Sequence, residues 1–593
     1  MSTHEDRLKA LRDQLARQSL DGFVVPLTDE YLSEYVGAYA QRLAWLTGFL
    51  GSAGSAVVLP EDAAIFVDGR YTLQVRDQVD GRQWQYQSVP QTSIAAWLSE
   101  HAPAGARIGY DPWLHTRRWV QDAGKALAKR GATLVPVSAN PVDAVWDDQP
   151  EPSKARLIAQ ADAYTGKSSA AKRAEMIDWM KDEDVDATVL TALDSIAWTF
   201  NIRGTDVART PVALAYALVH ADGRAELFVA PEKIDADVQA HLGNAVTLRD
   251  RSEFTQALMA LGGRTVAVDP DRAVAAIFET LDKAGASVRA VRDPSILPKA
   301  IKNEVEIAGQ KKAQALDGAA MAKFLHWLSI EGPTGRQTEI SASDQLQRYR
   351  EEMGAVDLSF DTISGSGPNG AIVHYKASEA TNRPVEPGTL FLVDSGGQYR
   401  EGTTDITRTM AIGTPTEEMR HNFTLVLKGH IALASVKFPA GTRGNQLDVL
   451  ARQFLWAEGL DYAHGTGHGV GSFLSVHEGP QRIGTFGAGT DEPILPGMIF
   501  SNEPGYYVTG AYGIRIENLV LVVDADIPGA EKPFYGFETL SHTPIDRSLI
   551  VTEMLTPAER QWVDDYHART LAIIGPQLEG EAKAWLERAC APL

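Results

Sequence analysis

The chain has 593 residues, 44% of them hydrophobic and 22% charged, enough for roughly three to five well-packed domains and not the composition of a disordered protein. Acidic residues outnumber basic ones, 77 against 56, giving a formal charge of −21; that balance supplies no basic face for a phosphate backbone and argues against nucleic acid as a partner. The one cysteine, Cys590, excludes an intramolecular disulfide and a thiolate-built metal site. With no signal-peptide pattern at the N-terminus and no run of ~18 apolar residues, the expectation is a cytoplasmic protein that does not span a membrane.

Two proline-rich, polar breaks, NPVDAVWDDQPEPSKA at 140–155 and RDPSILPKAIKN at 292–303, divide the chain into domains at 1–155, 156–300 and 301–593. The first opens with Leu8, Leu11 and Leu15 at helical spacing, running into LDGFVVP. The second places Met176, Ile177 and Met180 ahead of VDATVL. Asp21 and Asp186 then fall at equivalent helix-to-strand turns. LAWLTGF and IAWTFNIRG match at Ala44/Trp45 and Ala197/Trp198, and the apolar runs SAVVL and AAIFV match ALAYALV and AELFV. Short apolar runs alternating with helices read as α/β sheets. The two segments are an internal repeat, the first carrying the insertion DEYLSEYVGAYAQR, and neither holds a cluster of carboxylates and histidines.

The third segment begins with a helix capped by Asn303, Glu306 completing a capping box. Its apolar stripe comprises Val305, Ile307, Ala313, Leu316, Met321, Leu325 and Leu328. GSGPNG at 365–370 matches a dinucleotide fingerprint in form, but Pro368 lies inside it and AIVHYK follows. That is no helix start, so the fingerprint is rejected.

The chemistry gathers downstream. In LFLVDSGGQYREGTTDITRTM (390–410) a hairpin turning between Tyr399 and Arg400 would set Asp394 directly opposite Asp405. Facing Cβ atoms lie ~4.5–5.5 Å apart, and two such carboxylates repel unless a proton or a cation intervenes. In MIFSNEPGYYVTGAYGIRIENLVLV (498–522) Glu503 and Glu517 are each seven residues from Gly510, so a second hairpin centred there sets them face to face. Between the two lies HGTGHGVG (464–471), in which Gly467 and Gly469 let a backbone turn bring His468 into a crowded site. Four carboxylates and an imidazole form a hard donor set suited to two divalent ions such as Mn2+, Co2+ or Zn2+.

These motifs, VDSGG, TTDITRT, HGTGHGVG, NEPGYY and GIRIEN, resemble those of the pita-bread metallopeptidases, the group of methionine aminopeptidase, prolidase and aminopeptidase P, in the family's order. The resemblance implies an α/β (α+β) architecture: two creatinase-like N-terminal α/β domains followed by a C-terminal pita-bread catalytic domain, as in the long form of aminopeptidase P. It assigns Asp394, Asp405, His468, Glu503 and Glu517 to two divalent metal ions, with Mn2+ expected ahead of Co2+ and Zn2+. It gives His374 a proton-handling role at the substrate nitrogen and places His464 and His477 against the substrate or the tetrahedral intermediate.

The activity so implied is hydrolysis of the bond between an N-terminal residue and a following proline, by a hydroxide bridging the metals, with Glu503 as general base. The substrates are peptides with proline at position two, and the resemblance also implies a homodimer. The alternatives are prolidase, which cleaves Xaa-Pro dipeptides, and a peptide-binding homologue without catalysis.

Overall fold

A computed structural model describes residues 3–89 and 91–593; the first two residues of the N-terminal segment read above lie outside it. The chain forms two compact units, Met1–Asp162 with Lys167–Ile296, and Ala163–Gly166 with Leu297–Leu593.

The first unit holds two six-stranded sheets of one topology. In the first, Gly22–Pro26 pairs antiparallel with Ser55–Val58 and parallel with Arg107–Tyr110. In the second, Ala187–Leu190 pairs antiparallel with Tyr216–His220 and parallel with Thr265–Val268. The repeat extends to single atoms. The Asp21 carboxylate accepts from Arg107 N at 2.8 Å, and the Asp186 carboxylate accepts from Thr265 N at 2.8 Å. Each aspartate thus staples its helix-to-strand turn to the neighbouring parallel strand.

The second unit is built on antiparallel sheets. Its first helix, Glu304–Glu331, starts at Asn303, whose side chain accepts from Val305 N and Glu306 N, with Glu306 returning the bond. Met321, Phe324, Leu325 and Leu328 pack on Phe391, Val393 and Ile406 of a three-stranded sheet, together with Ala342 and Leu346 of the helix Glu339–Glu352. Val305 departs from the stripe expected of it and is 40% exposed, because it sits in the first turn, ahead of the sheet the helix covers. A six-stranded sheet containing Ile499–Asn502 and Asn518–Asp524 is covered by the helices Glu417–Ser435 and Gly444–Trp456. These two helices cross so closely that a Cβ at Gly429 would lie 2.1 Å from the Ala451 carbonyl oxygen. The residues of GSGPNG run from the strand Ile363–Ser366 into a 3-10 turn, Gly367–Ala371, rather than a helix.

The strand that carries Thr407 and Thr409 runs against the hairpin of residues 498–522. Glu517 N donates to Thr407 O at 3.2 Å, and Arg515 N donates to the Thr409 hydroxyl at 3.1 Å. Among the described residues no helix is long and apolar enough to cross a membrane.

Candidate metal centre

The second hairpin has the register its sequence implies. Ile499 pairs with Leu521, Asn502 with Asn518, Gly505 with Arg515 and Val508 with Tyr512, all symmetric about Gly510, whose φ is +78°. Glu503 and Glu517 occupy the break between the two ladders, where the pairing crosses from one sheet to the next. A ladder interrupted there frees both side chains to turn inward.

The first hairpin corrects the expected register. Asp394 pairs with Thr407, not Asp405, and Ser395 with Ile406. The ladder is offset by two residues because the turn is Arg400–Glu401, with Tyr399 paired to Gly402. A two-residue shift keeps Asp405 on the same face as Thr407, since side chains alternate with period two. The carboxylates are therefore diagonal neighbours rather than a facing pair. Asp405 precedes its strand, Ile406–Ile412, at a close crossing: a Cβ at Gly396 would lie 1.9 Å from Thr404 O.

His468 lies on a short strand, Gly467–Gly469, not in a turn. Its glycines serve close approach rather than unusual φ. A Cβ at Gly467 would meet Ser501 O at 2.0 Å, and one at Gly469 would meet Glu478 O at 2.2 Å. The ring is oriented by Nδ1 donating to Gly469 O at 2.9 Å, which turns Nε2 toward the carboxylates. That nitrogen lies 3.4 Å from Asp405 Oδ2 and 3.6 Å from Glu503 Oε1. Asp405, His468 and Glu517 each offer a ligand atom within 4.8 Å of the others.

The electrostatics show what this cluster lacks. Burial pushes the Asp405 carboxyl up to about 6, with repulsion from Asp394 and Glu503 adding to it against the pull of His468. Burial, then the charges of Asp405, Asp394 and Glu503, hold Glu517 well above the usual carboxylate range. Burial by itself would depress His468, but Asp405 and Glu503 outweigh it and lift the imidazole to about 9. Asp394 Oδ1 is buried without a hydrogen-bond partner among the described residues. Two buried carboxyls held above their ordinary range, an orphaned carboxylate oxygen and an imidazole nitrogen aimed at them fit a divalent-cation centre.

Residues outside the expected set hold these side chains in place. Thr407 donates its hydroxyl to Glu517 Oε2 at 2.7 Å. Arg515 donates to Asp394 Oδ2 at 2.6 Å and to the Tyr507 hydroxyl at 2.6 Å. Tyr507 lies 2.8 Å from His464 Nε2, and because His464 Nδ1 faces Gly465 O at 2.8 Å, Tyr507 is the donor to that imidazole. Ser501 accepts from His468 N at 2.9 Å and donates to Glu503 Oε1 at 3.1 Å. Thr407, Tyr507 and Arg515 lie inside the motifs TTDITRT, NEPGYY and GIRIEN, so position within the motif was the available signal; Ser501 had none.

Two of the three further histidines have contacts that tie them to this cluster. The His477 ring is 4.3 Å from that of His468 at 77°. Its neighbour Glu478 is fully buried, ion-paired to Lys299 at 2.9 Å and to Lys302. The His464 carbonyl accepts from Arg452 Nη2 at 2.7 Å. His374 is half-buried in the turn after Gly367–Ala371.

Comparison with known proteins follows the same layout. Residues 308–524 match metallopeptidase family M24 and residues 533–593 the C-terminal region of that family. Residues 7–145 and 148–306 match creatinase/prolidase N-terminal domains. A probable Xaa-Pro aminopeptidase P of Neosartorya fischeri is 39% identical over 609 residues, covering 99% of this chain and 92% of the relative. The crystal structure of X-prolyl aminopeptidase from Caenorhabditis elegans, described as a cytosolic enzyme with a di-nuclear active site, matches at a TM-score of 0.94 and 33% identity over the whole of both chains. A Xaa-Pro dipeptidase from Bacillus anthracis is 25% identical, with a TM-score of 0.52, and covers 64% of this chain and 99% of its own. With a 39%-identical relative aligned along nearly its whole length, the chain belongs to metallopeptidase family M24, as an α/β enzyme with creatinase-like N-terminal domains before a C-terminal pita-bread catalytic domain.

Proposed function

We propose that this protein is a two-metal Xaa-Pro aminopeptidase, removing the residue ahead of a proline from peptides. The observation that carries the reading is the convergence of Asp405, His468 and Glu517 within ligand distance of one another, beside Glu503 and the orphaned Asp394 oxygen. Asp394, Asp405, His468, Glu503 and Glu517 would hold two divalent ions, Mn2+ first among Mn2+, Co2+ and Zn2+. When bound, the ions supply Lewis acidity toward the carbonyl oxygen and lower the pKa of the attacking water.

Each protein group then has a task. Glu503 accepts the proton of the water as the new C–O bond forms. His374 donates a proton to the proline nitrogen as the C–N bond breaks. That nitrogen belongs to a tertiary amide with no N–H, so the site receives a ring instead of pairing a donor. His464, kept an acceptor at Nε2 by its Gly465 contact and tied to Tyr507, and His477 orient the substrate and its tetrahedral intermediate.

The aminopeptidase is preferred to a dipeptidase because the dipeptidase match leaves about a third of this chain uncovered, whereas the Neosartorya fischeri and Caenorhabditis elegans aminopeptidases align along 99% and 100% of it. The reading includes three domains at 1–155, 156–300 and 301–593, a cytoplasmic location and a homodimer. For the dimer, Val449 and Trp456 lie seven residues apart on one helix, both exposed.

A peptide assay decides the activity. Xaa-Pro-Xaa tripeptides should be cleaved and Xaa-Pro dipeptides should be poor substrates; the reverse preference makes the protein a prolidase. Asp405→Asn should abolish cleavage and lower bound metal, and a fully active variant would overturn the metal assignment.

A further inference from the structure

Glu339 is the first residue of the helix Glu339–Glu352 and is fully buried. Its carboxylate accepts from four groups on one segment. Ser366 N donates to Oε1 at 2.7 Å, and Asn369 Nδ2 lies 3.0 Å from both oxygens. The Tyr375 hydroxyl donates to Oε2 at 2.7 Å, and Arg383 N donates to Oε2 at 2.9 Å. Two of these donors precede His374 and two follow it. The backbone repeats the pattern: Ser364 Oγ donates to Glu339 O at 2.8 Å, and Glu339 N donates to Arg383 O at 3.0 Å.

The anchor is rigid and the segment is not built to stand alone. The helix is capped by Thr338 and packs Ala342 and Leu346 into the core with Phe391 and Val393. Arg350 on the same helix grips Asp317 through two buried bonds of 2.7 and 3.1 Å. Residues 372–388, by contrast, contain no helix or strand. Burial raises the Glu339 carboxyl above its ordinary value, and the bonds from Ser366, Arg383, Tyr375 and Asn369 oppose that rise.

The segment abuts the metal centre. The Gly370 carbonyl crosses the strand Tyr512–Arg515 so closely that a Cβ at Gly513 would lie 1.8 Å from it. Tyr375 packs with Ile363 and Leu392 against Tyr507, the residue that joins Arg515 to His464.

We propose that Glu339 is a positioning residue for His374, its buried carboxylate gathering the backbone and side chains on both sides of that histidine into one fixed loop. This rests on the reading of His374 as the group at the scissile nitrogen. A carboxylate is needed because it offers acceptors only; an amide of the same size would turn N–H groups toward donors.

The test is a double-mutant cycle on the metal-loaded enzyme with an Xaa-Pro-Xaa peptide. Glu339→Gln should lower kcat by about 10- to 100-fold, the scale of a misplaced catalytic group, with KM and bound metal unchanged. In a His374→Ala background the same substitution should cost less than about twofold, because the group it positions is gone. Tyr375→Phe removes a single donor and should show a smaller loss that likewise vanishes in that background, which keeps the test open if Glu339→Gln does not fold. Equal losses with and without His374, or loss of metal, overturn the inference while leaving His374 in place. A His374→Ala enzyme as active as wild type overturns the His374 role instead, and the positioning role with it.

Discussion

The hairpins of residues 389–412 and 499–522 each contribute two carboxylates, and each is braced by the other. Asp394 on the first takes a guanidinium from the second, Arg515. Glu517 on the second takes a neutral hydroxyl from the first, Thr407. A fixed positive charge partly answers the crowding at Asp394. A hydroxyl supplies a bond but no charge, and Glu517 is held well above the usual range by burial and its acidic neighbours. The difference teaches that the site's unmet demand for positive charge lies on the side of Glu517, Asp405 and His468, the three whose ligand atoms converge.

Breaking the charged brace should have the largest effect. Arg515→Ala leaves Asp394 buried beside other carboxylates and releases Tyr507 and His464. The loss should be about 3–5 kcal/mol in the metal-free protein, as for a broken buried pair. Denaturant unfolding measures it, and metal should recover part of it. A variant as stable without metal as wild type would show that the arginine does not answer the crowding.

Breaking the neutral brace should cost less stability and more affinity. Thr407→Val keeps the shape but removes the donor to Glu517. Loss of such an outer partner should weaken metal binding by about 10- to 100-fold, read by titrating the metal-free protein. Equal metal affinity in the two proteins would remove the distinction between the braces.

The smallest effect sharpens the comparison through pH. The folded-state pKa values of Asp405, at about 6, and of Glu517 are raised. The folded metal-free protein therefore holds protons that the unfolded chain has released, and these groups cost stability as pH rises from about 4 through 6. Buried His430 and His567, depressed to about 3 and about 4 mainly by burial, act oppositely and lose stability as pH falls below about 6.5. They belong to metal-free and metal-loaded forms alike. The increment in Tm on adding Mn2+ should therefore grow from pH 4.5 to 7, and a flat or falling increment would contradict the raised carboxylates.

Some of this was legible in the residues because it depends on local chemistry. The cap at Asn303 needs only its own first turn. The repeat was readable at Asp21 and Asp186 because the same turn is closed in the same way twice. The register about Gly510 followed from one glycine able to take positive φ at the tip. The first hairpin offered no such marker: GGQYREG supports several turns, and the choice of Arg400–Glu401 over Tyr399–Arg400 moved the partner of Asp394 by two residues. Facing and diagonal arrangements share one side of the ladder, so the two carboxylates keep a common face in either register.

The sequence by itself determined which residues are candidates for the chemistry, since motif order and side-chain type are properties of the chain alone. The tertiary structure decided what holds them. Thr407 and Glu517 are 110 residues apart, Arg515 and Asp394 are 121 apart, and Glu339 reaches Tyr375 across 36. Periodicity reports which way a side chain points within its own strand or helix. Which distant donor meets it is set by how separate sheets and helices pack, and no spacing along the chain encodes that distance.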